Sequence, residues 1–177
     1  MNKLKVGIIG VGMAFEKLHY PAYEQLKDRY EIVALCDRNR QKATSWAKRL
    51  NLPQDSVYTD IQELLSRHDL DVIDIMVPIE LNYEVTEAVA KRLSGQRKGI
   101  ICEKPLAATM EEAESARNLA KKYNLPIMIA ENYRYNQEID LIRDLVRNKR
   151  IGEVYYFIQN RVVNFPSEML QKDKFPS

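Results

Sequence analysis

The sequence predicts an α/β chain folded as a doubly wound parallel sheet. Three observations carry that prediction: short, nearly continuous runs of Val, Ile, Leu and Met; amphipathic stretches between them; and a glycine-containing turn straight after the first run. Continuous apolar runs suit strands covered on both faces, and their alternation with helices describes a βαβ array.

The first predicted strand is Leu4–Ile9, followed by the turn "GVGMAF" and a helix that contains His19. A second strand at 31–36 ends on Cys36, and Ala43, Trp46, Ala47 and Leu50 then follow helical spacing. A short strand at Val57 and Tyr58 and a helix at 60–66 complete the first half. The second half predicts a strand at 72–77 and a helix through Val85, Val89 and Leu93 capped by Asn82. A strand at Gly99–Cys102, a helix with capping-box spacing at Thr109 and Glu112, and a strand at 126–130 follow. Beyond these, Ile139, Ile142 and Val146 mark a helix ended by Gly152, and "EVYYFIQNRVV" reads as a last strand with no obvious partner.

Length and composition narrow the function. A chain of 177 residues, 45% hydrophobic and 29% charged, is that of a soluble globular protein. Its formal charge of +2 gives no basic stripe for nucleic acid, and no run reaches the roughly 18 apolar residues of a membrane span. The start "MNKLKVGIIG" lacks the form of a signal peptide, so a cytoplasmic location and small-molecule partners are expected. Cys36 and Cys102 read as buried free thiols; in the strand order 3-2-1-4-5-6 they lie roughly 14 Å apart, beyond disulfide reach. His19 reads as a helix-face or core residue and His68 as a turn residue. Neither has carboxylate or cysteine neighbours at ligand spacing, so no metal site is expected.

The chemistry gathers at one sheet edge. Gly10 and Gly12 follow the first strand and open a helix, the arrangement that brings backbone amides to a pyrophosphate. Phe15 fills the third glycine position, where a small residue lets helix and strand pack closely, so a displaced or register-shifted helix is expected. Asp37 ends the second strand and suits an adenosine ribose, which favours NAD; Arg38 keeps NADP open. Asp37 also reads as the start of a turn or a helix cap. Lys104, in "EKPLA" after the fifth strand, shares this edge with Pro78. It is either a proton-transfer group held by Glu103 or a solvated Lys-Pro turn, with a cis bond possible at Pro105. Tyr133, Arg134 and Tyr135 follow the last parallel strand, as a cleft lining or as an aromatic seam. No G-x-S-x-G elbow or P-loop is present.

With "VGIIGVGMA", "CDRN", "MVPIELN", "ICEKPLA" and "ENYRYNQEI" in this order, the chain resembles the Gfo/Idh/MocA family of NAD(P)-dependent oxidoreductases over essentially its whole length. The resemblance implies a Rossmann-type dinucleotide-binding domain at 1–131. Residues 132–177 would be a connecting helix and only the opening strand of a second α+β domain. It implies NAD or NADP, with NAD favoured, held by Gly10, Gly12, Met13, Ala14, Asp37, Arg38, Val77, Pro78, Asn82, Glu103, Lys104 and Asn132. Lys104 would be the catalytic residue, beside the nicotinamide and the oxygen of a sugar or polyol. The family's usual Thr-Pro-Asn and following His read here as Val77, Pro78, Ile79 and Asn82. Its second domain commonly adds an Asp and a His, so this chain is expected to be a fragment or truncated product, inactive alone. Two other readings are a non-catalytic dinucleotide-binding module that senses redox state or binds a partner, and a methyltransferase. "EKPLA" argues against the latter. Self-association through the last strand is a further expectation.

Overall fold

The computed structural model describes residues 2–160 and 162. These fall into two compact units that divide after Asn132.

The first unit is a six-stranded, all-parallel sheet in the order β3-β2-β1-β4-β5-β6. Its strands are β1 (Leu4–Ile9), β2 (Tyr30–Cys36), β3 (Val57–Tyr58), β4 (Val72–Ile75), β5 (Gly99–Cys102) and β6 (Ile127–Ile129). Its helices are α1 (Tyr20–Gln25), α2 (Arg40–Arg49), α3 (Ile61–Leu65), α4 (Ile79–Leu93), α5 (Met110–Arg117) and α6 (Leu119–Tyr123). The sheet order places Cys36 and Cys102 on non-neighbouring strands, and both are free and buried.

Because side chains alternate along a strand, the sheet has two apolar faces. Ile9, Cys36, Ile73, Ile75 and Ile100 pack under Leu64, Val85, Val89 and Leu93 of α3 and α4. Val6, Ile8 and Leu35 pack under Phe15 and under Ala43, Trp46 and Ala47 of α2. Caps fix the helix starts: Asn39 accepts from Lys42 N, Asp60 from Gln62 N, and Thr109 from Glu112 N.

Two predicted features of this unit differ in kind, and the strands predicted at 72–77 and 126–130 are shorter. Residues Phe15–His19 wind as a π-helix rather than as the first α-helical turns. The Phe15 ring is fully buried, edge-on to Trp46 at 4.9 Å, and the wider turn makes room for it where a small residue was expected. Asn82 does not cap α4. Pro78 takes the N-cap position, because proline needs no partner for an N–H there, and Asn82 lies one turn inside, buried.

The second unit contains α7 (Gln137–Arg147), capped by Asn136, which accepts from Glu138 N at 2.8 Å. Ion pairs of Asp140 with Arg143 and Arg134 lie on its surface. After α7 the chain turns through Lys149 and Gly152, both at positive φ. The expected strand is not formed over residues 153–160, where Tyr155, Tyr156 and Ile158 are exposed. β-prone residues make a strand only when a ladder partner is present, and none pairs with these residues among those described. Arg161 and Val163 of that prediction, and the rest of the expected second domain from there on, lie outside the described residues. No helix among the described residues is long and apolar enough to cross a membrane.

Candidate active site

The carboxyl ends of β1, β2 and β4 surround a cleft of about 680 Å³, lined by Gly10, Gly12, Asp37, Arg38, Val77 and Pro78 among others. This is the edge at which ligands bind to open parallel sheets. Gly10 has φ +90°, and a Cβ there would lie 2.1 Å from the Met76 carbonyl oxygen, so no other residue fits without moving the backbone. Its N–H donates to Cys36 O at 2.8 Å, tying the turn to β2. Gly12 has open space where a side chain would be, which leaves the mouth of the turn clear.

Asp37 holds this turn in shape. Its Oδ2 accepts from Val11 N at 2.9 Å and its Oδ1 from Asn39 N at 2.8 Å. The turn reading of Asp37 therefore holds alongside its place in the cleft, while the helix cap belongs to Asn39. Cys36 also lines the cleft; burial first, then the nearby Asp37, Asp60 and Glu63, pushes its thiol up to about 12. It stays an unreactive thiol at neutral pH.

The second feature is the turn after β5. Glu103 N donates to Ile75 O at 2.9 Å, and the Lys104–Pro105 peptide is cis. Asn82 reaches across from α4 and donates through Nδ2 to Glu103 O at 3.2 Å and Pro105 O at 2.7 Å. Asn82 thus grips the backbone on both sides of Lys104. The Lys104 side chain is exposed, while its backbone N–H donates to Glu103 Oε2 at 2.9 Å.

The third feature is at His19, which lies on a helical segment with its side chain mostly buried, in keeping with a helix-face or core residue. Topology supplies the carboxylates that its sequence neighbours lack. His19 Nδ1 lies 2.7 Å from Asp74 Oδ2, and Nε2 lies 2.9 Å from Glu103 Oε1. Tyr23 OH donates to the same Asp74 oxygen at 2.8 Å. Burial alone would lower the His19 pKa, but the two carboxylates outweigh it and raise it to about 9. Burial and Asp74 both push Tyr23 upward, so it remains a neutral donor. A signal for this cluster existed in the sequence: Asp74 interrupts the apolar run "VIDIMV", and a carboxylate inside a covered strand needs a partner.

The remaining predicted residues scatter. Met13 is exposed, Ala14 half-buried just before the π-helix, and Asn132 exposed at the end of the first unit. Tyr133, Arg134 and Tyr135 belong to the second unit. Among the described residues no group of three or more His, Cys, Asp and Glu is placed to hold a metal ion.

Comparison with known proteins bears on the family and the fold. An oxidoreductase of Schizosaccharomyces pombe is 32% identical over 89% of this chain and 41% of its own length. D-glucoside 3-dehydrogenase of Escherichia coli is 30% identical over 87% of this chain and 42% of its own. The crystal structure of an oxidoreductase from Thermotoga maritima superposes with a TM-score of 0.76 at 32% identity, covering 85% of this chain and 45% of that one. The WlbA dehydrogenase of Bordetella pertussis, solved with NADH and UDP-GlcNAcA, shares the fold with a TM-score of 0.76 at 20% identity, covering 87% of this chain and 45% of that one. The chain spans less than half the length of each. Residues 4–131 match the model of an oxidoreductase family with an NAD-binding Rossmann fold, and on that match the chain belongs to the Gfo/Idh/MocA family.

Proposed function

We propose that this chain supplies the nucleotide-binding part of a cytoplasmic NAD(P)-dependent dehydrogenase acting on a hydroxyl-bearing or carbonyl carbon of a sugar or polyol. The observation that carries the reading is the cleft at the carboxyl ends of β1, β2 and β4, with the Gly10–Gly12 turn on one side and Asp37 on another. Its volume suits a mostly apolar small-molecule site with a few polar groups. The sugar assignment draws on the E. coli relative, whose named substrate is a D-glucoside.

The turn at Gly12 opens the first helical segment and would take the pyrophosphate; Asp37 would take the adenosine ribose, which disfavours a 2′-phosphate. A bound nicotinamide supplies the hydride acceptor or donor. Lys104 would exchange a proton with the substrate oxygen from a turn that Asn82 braces. Pro78 and Val77 would form the apolar wall beside it. Arg38 remains the group through which NADP could be accepted.

Fluorescence titration of the purified chain with NADH and NADPH tests this. Saturable NADH binding, weakened roughly tenfold by Asp37→Ala, is the expected result. Failure to bind either nucleotide would overturn the reading.

A further inference from the structure

We infer that His19 is a positioning residue: as an imidazolium clamped between Asp74 and Glu103, it anchors the Lys104 turn to the interior of the sheet. This rests on the proposed role of Lys104. The geometry itself argues for the charged ring. Both ring nitrogens face carboxylate oxygens at hydrogen-bond distance, and only the doubly protonated ring has a proton for each. Asp74 Oδ2 already accepts from Tyr23 OH, so it meets His19 as an acceptor. Glu103 uses its other oxygen to accept from Lys104 N.

A continuous path of short bonds results. Asp74 is fully buried in β4, held between Ile8 of β1 and Ile101 of β5 by the sheet register. From this fixed point the path runs to His19, to Glu103 and to the backbone N–H of Lys104. The groups that face the ring are Asp74 from β4, Glu103 after β5 and, through Asp74, Tyr23 of α1. Lys104 and the buried thiol of Cys102, which Asp74 and Glu103 also influence, lie next beyond. Two mostly buried carboxylates without the imidazolium would repel each other, and Glu103 would turn to solvent and release the Lys104 N–H. Asn82 cannot replace this hold, because it grips the carbonyls of Glu103 and Pro105 rather than the carboxylate. His19 is thus the titratable half of a two-sided brace.

The test is NMR on the 177-residue chain with ¹⁵N-labelled histidine, together with amide exchange. The chain has two histidines, so His68 is an internal control. The expected result is that His19 carries protons on both nitrogens at pH 7 and loses one only near pH 9. In His19→Gln the Lys104 amide should exchange about tenfold or more faster relative to the core amide of Ile8. In the wild type the same loss of protection should appear as pH passes 9, after correction for intrinsic exchange. Glu103→Ala removes both acceptor oxygens and should free the Lys104 amide and lower the His19 midpoint, which keeps the test open if the His19 variant misfolds. A neutral His19 beside a protonated Glu103 at pH 7, or unchanged Lys104 exchange in both variants, overturns the inference. No readout uses a nucleotide: a chain that shows these signatures and binds no NADH sustains the inference while the cofactor reading falls.

Discussion

Raising the pH should destabilise this fold through His19, and the size of the effect follows from the clamp. The ring has a folded-state pKa of about 9 against an ordinary value of 6.5. A group whose pKa is raised on folding adds stability that is complete below the unfolded value and is lost as pH rises through the folded one. The window is therefore pH 6.5 to 9. At about 1.4 kcal/mol per unit the ceiling is roughly 3 kcal/mol, and the residual 12% exposure of the side chain brings the expected figure to about 2 kcal/mol. Other groups also titrate near pH 9, so the assay is the difference between wild type and His19→Gln in urea unfolding at pH 6 and pH 9.5. The wild-type advantage should shrink by about 2 kcal/mol between those conditions, with equal m-values. A gap that stays constant within about 0.5 kcal/mol would refute the clamp as a charged one.

Three further outcomes are expected. Gly10→Ala forces a Cβ to within 2.1 Å of Met76 O at φ +90°, so it should lower stability by about 2 kcal/mol or more and abolish nucleotide binding, read by denaturation and NADH titration. Asn82→Ala removes two bonds to the Lys104 turn and should cost about 1 to 3 kcal/mol in urea unfolding, with faster exchange at Glu103 and Lys104. Phe15→Leu should cost about 1 to 2 kcal/mol and couple non-additively with His19→Gln, measured by a double-mutant cycle; additivity within about 0.5 kcal/mol would show the two positions independent.

The parts of the fold legible in the sequence were those set by local pattern. Apolar runs located the strands, and β5 agrees end to end because Gly99 and Cys102 bound a run with no polar interruption. Gly10 was legible because the turn after β1 leaves no room for a side chain. The failures have physical causes of two kinds. Residues 153–160 have the composition of a strand, but a strand is a property of two chains in register, and composition describes only one of them. Asn82 was misread because a capping side chain and one that spans to another loop look alike until the position of Pro78 is known. The carboxylate partners of His19 were missed because they stand 55 and 84 positions away, joined only by the order β1-β4-β5.

That last miss and the departure at Phe15 are one feature. A small residue at position 15 would let an α-helix settle onto β1 directly. The Phe15 ring instead enters the core beside Trp46 and Tyr20, and the chain takes a wider turn over the five residues that end at His19. Phe15 is buried at one end of that turn and His19 is nearly so at the other, where its ring meets Asp74. Single π-turns inside helices are rare and are frequent at functional sites. Here the interruption puts an aromatic ring into the sheet's apolar face and a cation over its one buried carboxylate among the described residues, so the imperfect glycine motif and the brace on the Lys104 turn arise from the same local winding.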